Sequence, residues 1–251
     1  MLADDLLALA VEMATRAGAL IGAAVAQTVD TKSTATDMVT EVDRASERLI
    51  VDHLRAARPD DGILGEEGTS DPGTSGVRWI IDPLDGTTNF VYRYPAYSVS
   101  IAAEVKGVVV AGAVYDVVHD ELFTATLGGG AFLNGTPLHV TGSPTMATAL
   151  IGTGFSYTPA TRRHQAAVLA QLIDSVRDVR RGGSAALDLC WVGAGRLDGH
   201  YEANLNPWDL AAGSLVAAEA GASVRDVDGT TVAIVPHLAD QFVELLRSAT
   251  R

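Results

Sequence analysis

The sequence predicts an α+β fold, with helices on an antiparallel sheet in the first half of the chain and on a mixed sheet in the second. Three observations carry this: a helical apolar stripe at the start, strand-like runs between residues 77 and 126, and alternating strand and helix patterns beyond residue 150.

From Leu2 to about Val25, apolar residues recur at Leu6, Leu9 or Ala10, Met13, Ala17, Leu20 or Ile21 and Ala24, the spacing of one helix face. Asp4 and Asp5 stand where a secretory leader needs basic residues, and Glu12 and Arg16 interrupt the stretch. It therefore reads as an amphipathic helix, with no membrane role. Thr40 followed three residues later by Asp43 has the form of a capping box, and Val42, Ala45, Leu49 and Leu54 continue a second helical stripe until Pro59. Strands are expected from Val77 to Asp82, Tyr97 to Val105, Val108 to Val117 and Glu121 to Thr126. The short turns at Lys106-Gly107 and His119-Asp120 make neighbours antiparallel.

The Gly128-Gly129-Gly130 run, the Asn134-Gly135 turn and a loop with Gly142 and Pro144 close an N-terminal half, 1–142. The C-terminal half, 143–251, alternates. A strand at Leu150 to Thr153 precedes a helix from about Thr161 to Ser175, a strand near Val176 to Arg180, a helix beginning at Ser184 and a strand from Leu197 to Glu202. A helix with Asn206 as cap, Pro207 in its first turn and Gly221 beyond its end follows, then a hairpin at Asp228-Gly229 and a terminal helix with Leu238, Phe242, Leu245 and Leu246. No repeat or low-complexity linker separates the halves, so they share one interface.

The 251 residues are 47% hydrophobic and 20% charged, with 25 Gly and 9 Pro, an ordinary composition for a folded protein able to bury a large core. A net charge of −13 with no basic run argues against nucleic acid as a partner. It also means that any anionic substrate needs local positive charge, which bound divalent cations would supply. The single cysteine, Cys190, excludes an internal disulfide and points to a reducing cytoplasm. The six histidines show no ligand-like cluster and read as surface or core residues.

The densest chemical signal is Trp79-Ile80-Ile81-Asp82-Pro83-Leu84-Asp85-Gly86-Thr87-Thr88-Asn89-Phe90. An apolar strand delivers Asp82, Pro83 interrupts the ladder, and Asp85 arrives beside Asp82. Like charges so close repel unless a hard cation lies between them, and Mg²⁺ with its oxygen ligands suits that role. Gly86-Thr87-Thr88-Asn89 then offers backbone N–H groups at a helix start, a phosphate-binding arrangement. Taken alone, this run reads rather as a polar turn with a helix cap, and it is the other acidic clusters that shift the balance. Gly65-Glu66-Glu67-Gly68 places two acids at the end of a short apolar strand, Asn206-Pro207-Trp208-Asp209 puts an acid in a first helical turn, and Asp37 and Asp43 flank Met38-Val39-Thr40. Each has a capping or turn reading of its own.

Together, in order and spacing, these segments and Gly182-Gly183-Ser184-Ala185-Ala186 with Asp188 resemble the signatures of the inositol monophosphatase family over about residues 2 to 235. The resemblance implies a layered αβαβα sandwich, a homodimer, and two or three Mg²⁺ ions at the junction of the halves. It implies metal ligands at Glu66, Asp82, the carbonyl of Leu84, Asp85 and Asp209, with Glu67 beside them. Thr87 and Asp43 would orient and deprotonate a water that attacks phosphorus in line, and the N–H groups of Gly86 and Thr87 would receive the phosphate. Gly183, Ser184, Ala185, Glu202 and Asp209 would meet the hydroxyls of a small phosphorylated metabolite. Lys32 matches a family lysine near the metals, and also reads as a solvated surface residue. Lithium sensitivity is implied in the same way.

The substrate implied is a polyol or sugar monophosphate such as inositol-1-phosphate. Histidinol phosphate, fructose bisphosphate, 3′-phosphoadenosine 5′-phosphate, or a non-enzymatic role as a transcription-associated binding partner remain alternatives on the same fold. Arg180 and Arg181 could steer phosphate or pair with acids at a subunit interface. Between Val227 and Ala239 the chain is shorter than the family pattern, which suggests a trimmed hairpin or edge strand.

Overall fold

The structure, a computed structural model, describes residues 2–24, 29–31 and 38–250. Lys32 and Asp37 lie outside the described residues. The chain runs α1 (Leu2–Ala23), β1 (Val29–Thr31), β2 (Met38–Thr40), α2 (Glu41–Ala57), β3 (Gly62–Gly65), β4 (Ser70–Asp71), β5 (Val77–Asp85), α3 (Thr87–Tyr92), β6 (Ser98–Val105), β7 (Val108–Asp116), β8 (Glu121–Thr126), β9 (Gly130–Leu133) and β10 (Thr136–Pro137). It continues with β11 (Leu150–Thr153), α4 (Pro159–Leu172), β12 (Asp178–Arg180), α5 (Ala185–Gly193), β13 (Gly199–Ala203), α6 (Pro207–Glu219), β14 (Ser223–Val227), β15 (Thr230–Ile234) and α7 (Ala239–Ala249).

Five layers follow from which faces are apolar. The stripe of α1 buries Leu6, Met13 and Ile21, and α2 adds Ile50 and Leu54, against Trp79, Ile81 and Ile101 of an eight-stranded sheet. By length and composition α1 could cross a membrane, but here its inner face is packed into this core. Each fully buried side chain of this size contributes about 1.5–3 kcal/mol, so Met13→Ala would cost several kcal/mol once the cavity is counted. The sheet's other face, with Ile80, Ala102, Val114 and Phe123, packs on Ala186, Leu187 and Cys190 of α5 and Ala212, Leu215 and Val216 of α6. Those two helices turn Leu189, Val192 and Ala217 toward Ala233 of a second, five-stranded sheet and toward Leu197 in the loop before β13. Ile151, Tyr201 and Ile234 on its far face meet Val168 and Leu172 of α4 and Phe242 and Leu246 of α7. The order is helices, sheet, helices, sheet, helices.

The first sheet has the order β10-β9-β8-β7-β6-β5-β3-β4 and is mixed rather than antiparallel, because β3 and β5 run parallel. The chain leaves β3, forms the edge strand β4, and returns beside β3 as β5, a path that local turn chemistry does not reveal. The second sheet, β12-β11-β13-β15-β14, is mixed as expected. The hairpin at Asp228-Gly229 is present, with β14 at the sheet edge. A second correction concerns β5, which continues through Pro83 to Asp85 instead of ending at Asp82.

Candidate active site

The bulge at the end of β5 is the starting point. Asp82 pairs with Ser100 and Asp85 with Ser98, so three steps on β5 face two on β6. Pro83, which has no N–H to give the ladder, sits within this irregularity. The Leu84 N–H turns back to Asp82 Oδ1 at 3.1 Å, and Asp82, Leu84 and Asp85 all come to line one cavity. Gly86 follows at φ 93°, and a Cβ there would stand 2.9 Å from the Ala96 carbonyl oxygen, so the turn from β5 into α3 requires glycine.

Thr87, the first residue of α3, directs its hydroxyl to Asp43 Oδ1 at 2.8 Å, with the Leu84 carbonyl at 3.2 Å. Asp43 is fully buried in the first turn of α2, where its other oxygen accepts the Thr40 N–H at 2.8 Å and the Thr40 hydroxyl. The capping box that starts α2 thus also fixes the carboxylate behind Thr87.

Glu66 is placed by a turn that α2 clamps. Glu47 accepts the Glu67 N–H at 2.8 Å, the Thr69 N–H at 3.2 Å and the Thr69 hydroxyl at 2.6 Å, while the Glu66 N–H reaches the Ile81 carbonyl at 3.1 Å. Glu66 lines the cavity and Glu67 does not. Asp209, third in α6, closes a capping box by accepting the Asn206 N–H at 2.6 Å, and it too lines the cavity. Asp85 ties the layers together, since its Oδ2 accepts the Ser184 hydroxyl at 2.6 Å and the Ala186 N–H at 2.8 Å from the start of α5.

The cavity these residues share has a volume of about 370 Å³, the size for a small polar metabolite. Gly86, Thr87, Gly183, Ala185 and Glu202 complete the wall. Ser184, expected at a substrate hydroxyl, is instead buried beneath it and committed to Asp85 and to capping α5. Asp43 likewise lies behind Thr87, off the cavity surface.

The electrostatics are those of crowded carboxylates. Burial, then the charges of Glu66, Asp85 and Asp209, drive Asp82 well above the ordinary aspartate range. Burial lifts Asp85 to about 6 against the lowering effect of its Ser184 and Ala186 hydrogen bonds. Glu202 is pushed up to about 8, mainly by burial, with Arg181 opposing and Asp85 and Asp209 adding. Among the described residues, no three acidic, His or Cys side chains are already drawn tightly enough together to enclose an ion. Glu66, Asp82, Asp85 and Asp209, with Leu84 beside them on one cavity and no Cys or His in its lining, are nonetheless a donor set of hard oxygens that fits Mg²⁺ and not a soft metal.

Several residues in or behind the wall escaped the sequence reading. Arg181 is not one of them: of the two arginines the sequence left open between steering phosphate and a subunit interface, Arg181 lines the cavity and Arg180 is an exposed partner of Asp178 at 2.6 Å. Tyr157, Asn204 and Trp208 also line it. His200 is completely buried, between Asp188 and Glu202. The available signal for His200 was strand periodicity, which puts it on the same face as Glu202 two residues on.

Five alternating layers around a carboxylate-lined cavity define a phosphatase architecture, and comparison with known proteins agrees. The family model described as the inositol monophosphatase family matches residues 2–247, and the chain belongs to that family. The inositol-1-monophosphatase of Mycobacterium leprae (strain TN) is 47% identical over 247 residues, covering 92% of this chain and 85% of that protein. A relative from Pasteurella multocida (strain Pm70), named Nus factor SuhB, is 43% identical over 231 residues, covering 90% and 86%. The solved structure of Mycobacterium tuberculosis SuhB is similar at a TM-score of 0.86 and 45% identity, covering 98% of this chain and 97% of that one.

Proposed function

We propose that this protein is a cytoplasmic, homodimeric, Mg²⁺-dependent phosphomonoesterase acting on a small polyol or sugar monophosphate such as inositol-1-phosphate. The observation that carries the reading is the meeting of Glu66, Asp82, Asp85 and Asp209, from three separate stretches of chain, around one small cavity beside the start of α3. Glu66, Asp82, Asp85, Asp209 and the Leu84 carbonyl would hold two or three Mg²⁺ ions. Bound there, Mg²⁺ supplies Lewis acidity toward the phosphate ester and lowers the pKa of water.

The chain's own groups do the rest. The Thr87 hydroxyl donates to Asp43, so its oxygen lone pairs can accept a hydrogen bond from a water in the cavity and aim that water's oxygen at phosphorus; as the water gives its proton to Thr87, the Thr87 proton passes to the Asp43 carboxylate. The N–H groups of Gly86 and Thr87 precede the first intrahelical bond of α3 and can receive phosphate oxygens. Gly183, Ala185, Glu202 and Asp209 face the alcohol half, and Ser184 supports them from behind through Asp85. A lone basic side chain, Arg181, among the described lining residues favours substrates with one phosphate over bisphosphates. Histidinol phosphate, fructose bisphosphate and 3′-phosphoadenosine 5′-phosphate are the competing substrates.

The Pasteurella relative's name supports a second reading, a transcription-associated binding partner. Against it, carboxylates whose mutual repulsion costs stability are all retained here. Phosphate release measured across a panel of phosphorylated metabolites, with Mg²⁺ and with chelator, decides between them. Mg²⁺-dependent release from polyol monophosphates is expected. Failure on every member, together with retention of RNA polymerase in a pull-down, would reverse the assignment.

A further inference from the structure

Behind the wall of the cavity three side chains form a row: Asp188 on α5, then His200 and Glu202 on the same face of β13. The His200 ring is fully buried, with Nδ1 3.6 Å from Asp188 Oδ2 and Nε2 3.6 Å from Glu202 Oε2. Among the described residues neither ring nitrogen has a hydrogen-bond partner, and Asp188 Oδ1 has none either. Buried polar atoms left in this state call for an explanation, because a protein core rarely tolerates them. The backbone around the row is shaped for it. A Cβ on Gly154 would strike the Glu202 carboxylate, one on Gly182 would strike Asp188 Oδ1, and one on Gly152 would come within 3.0 Å of His200 Nδ1.

We infer that Asp188 and His200 are positioning residues that orient the Glu202 carboxyl toward a hydroxyl of the substrate, and so set the enzyme's preference for polyhydroxylated alcohol phosphates. A neutral imidazole has one N–H and one bare nitrogen, so a ring flanked by two carboxyl groups is satisfied in one sense only: its N–H donates to an ionised carboxylate and its bare nitrogen accepts from a protonated carboxyl. Burial holds His200 neutral, its pKa lowered to about 3, and raises Asp188 well above the ordinary range. Of the two carboxyls Glu202, raised to about 8 on the cavity wall, ionises before Asp188, whose rise is increased by the Glu202 charge; once it has, Asp188 donates to Nδ1, Nε2–H donates to Glu202, and the remaining Glu202 oxygen accepts the substrate hydroxyl. Separations of 3.6 Å exceed hydrogen-bond length, but a shift of under about 1 Å closes them. A hydroxyl drawn to Glu202 provides the occasion. The inference rests on the phosphatase reading, because it concerns the alcohol half of that substrate.

The test compares a polyol monophosphate with 4-nitrophenyl phosphate, which offers Glu202 no hydroxyl, both in Mg²⁺. His200→Phe fills the space without a donor, and His200→Gln keeps an amide N–H near Nε2. His200→Phe should raise KM for the polyol monophosphate roughly tenfold with a much smaller fall in kcat, the size of one lost hydrogen bond. The aryl phosphate should be affected several-fold less, and His200→Gln should recover most of the loss. Glu202→Gln combined with His200→Phe should be no worse than Glu202→Gln alone. If His200→Phe does not fold, Asp188→Leu, which removes the donor to Nδ1, carries the same expectation with the ring in place, and Asp188→Asn, whose amide N–H can still donate, should retain most of the activity. Equal losses on both substrates, no loss on either, or fully additive effects would overturn the inference. Release from neither substrate by the wild-type protein would overturn the phosphatase reading itself.

Discussion

Asp85→Asn changes one atom of a buried carboxyl group whose pKa is raised from 3.8 to about 6. Between those two values the folded protein binds more protons than the unfolded chain, so stability falls as pH rises through the window, and the full penalty applies above about pH 6. A shift of about two units corresponds to roughly 3 kcal/mol held against the ionised form. Asn is neutral and can present its carbonyl oxygen to the Ser184 hydroxyl and the Ala186 N–H. In chelator at low salt and pH 8, Asp85→Asn should therefore be more stable than wild type by up to about 3 kcal/mol, a rise in Tm of roughly 5–10 °C for a chain of this length. Near pH 4 the wild-type carboxyl is largely protonated and the difference should nearly vanish. Adding Mg²⁺ should reverse the order, since the wild type keeps the ligand charge that binding uses, and only the wild type should release phosphate. Scanning calorimetry at both pH values, with and without the metal, reads all of this. Identical melting at pH 8 in chelator, or a difference of the same size at both pH values, would refute the repulsion account.

Thr87→Ala removes the hydroxyl that Asp43 holds at 2.8 Å and should lower kcat about 10²- to 10⁴-fold with Mg²⁺ affinity retained, while Thr87→Ser keeps most of the rate; steady-state phosphate release measures both. Gly86→Ala forces a Cβ to within 2.9 Å of the Ala96 carbonyl at φ 93°, and should cost about 1–3 kcal/mol in chemical denaturation besides turnover. Glu47→Ala frees the turn that carries Glu66, and the Mg²⁺ concentration for half-maximal rate should rise about 10- to 100-fold, with a smaller effect on the saturated rate.

Elements set by local periodicity were legible. The α1 stripe buries Leu6, Met13 and Ile21, and the cap at Thr40 starts α2. The turns at Lys106-Gly107 and Asp228-Gly229 take the positive φ that makes tight hairpins. What escaped depends on pairs distant in sequence. The Thr40 capping box is visible locally, whereas the contact of Asp43's second oxygen with Thr87, 44 residues on, is reached only through the family resemblance, which pairs the two. Parallel pairing of β3 with β5 is set by where the chain re-enters the sheet, and neither strand encodes it alone. His200 in Gly199-His200-Tyr201-Glu202 reads as any half-buried strand histidine. Its close burial uses space left by Gly152 in β11, where a Cβ would come within 3.0 Å of the ring's Nδ1.

The acidic site stands at a seam between layers, and this explains how so unfavourable a cluster survives folding. Asp82 and Asp85 come from the first sheet, Asp209 comes from α6 in the middle layer, and α5 beside it supplies the two hydrogen bonds that hold Asp85. Middle-layer residues Ala186 and Ala212 are small enough for the helices to lie close against Ile80, Ala102 and Val114. The apolar burial on either side of α5 and α6 is gained only when the layers dock, and docking is also what brings the carboxylates together. The repulsion is thus charged to the same cooperative step that gains the core. A cation binding the cluster lowers the free energy of the docked state alone, so it should act on the stability of the whole protein and not on one loop.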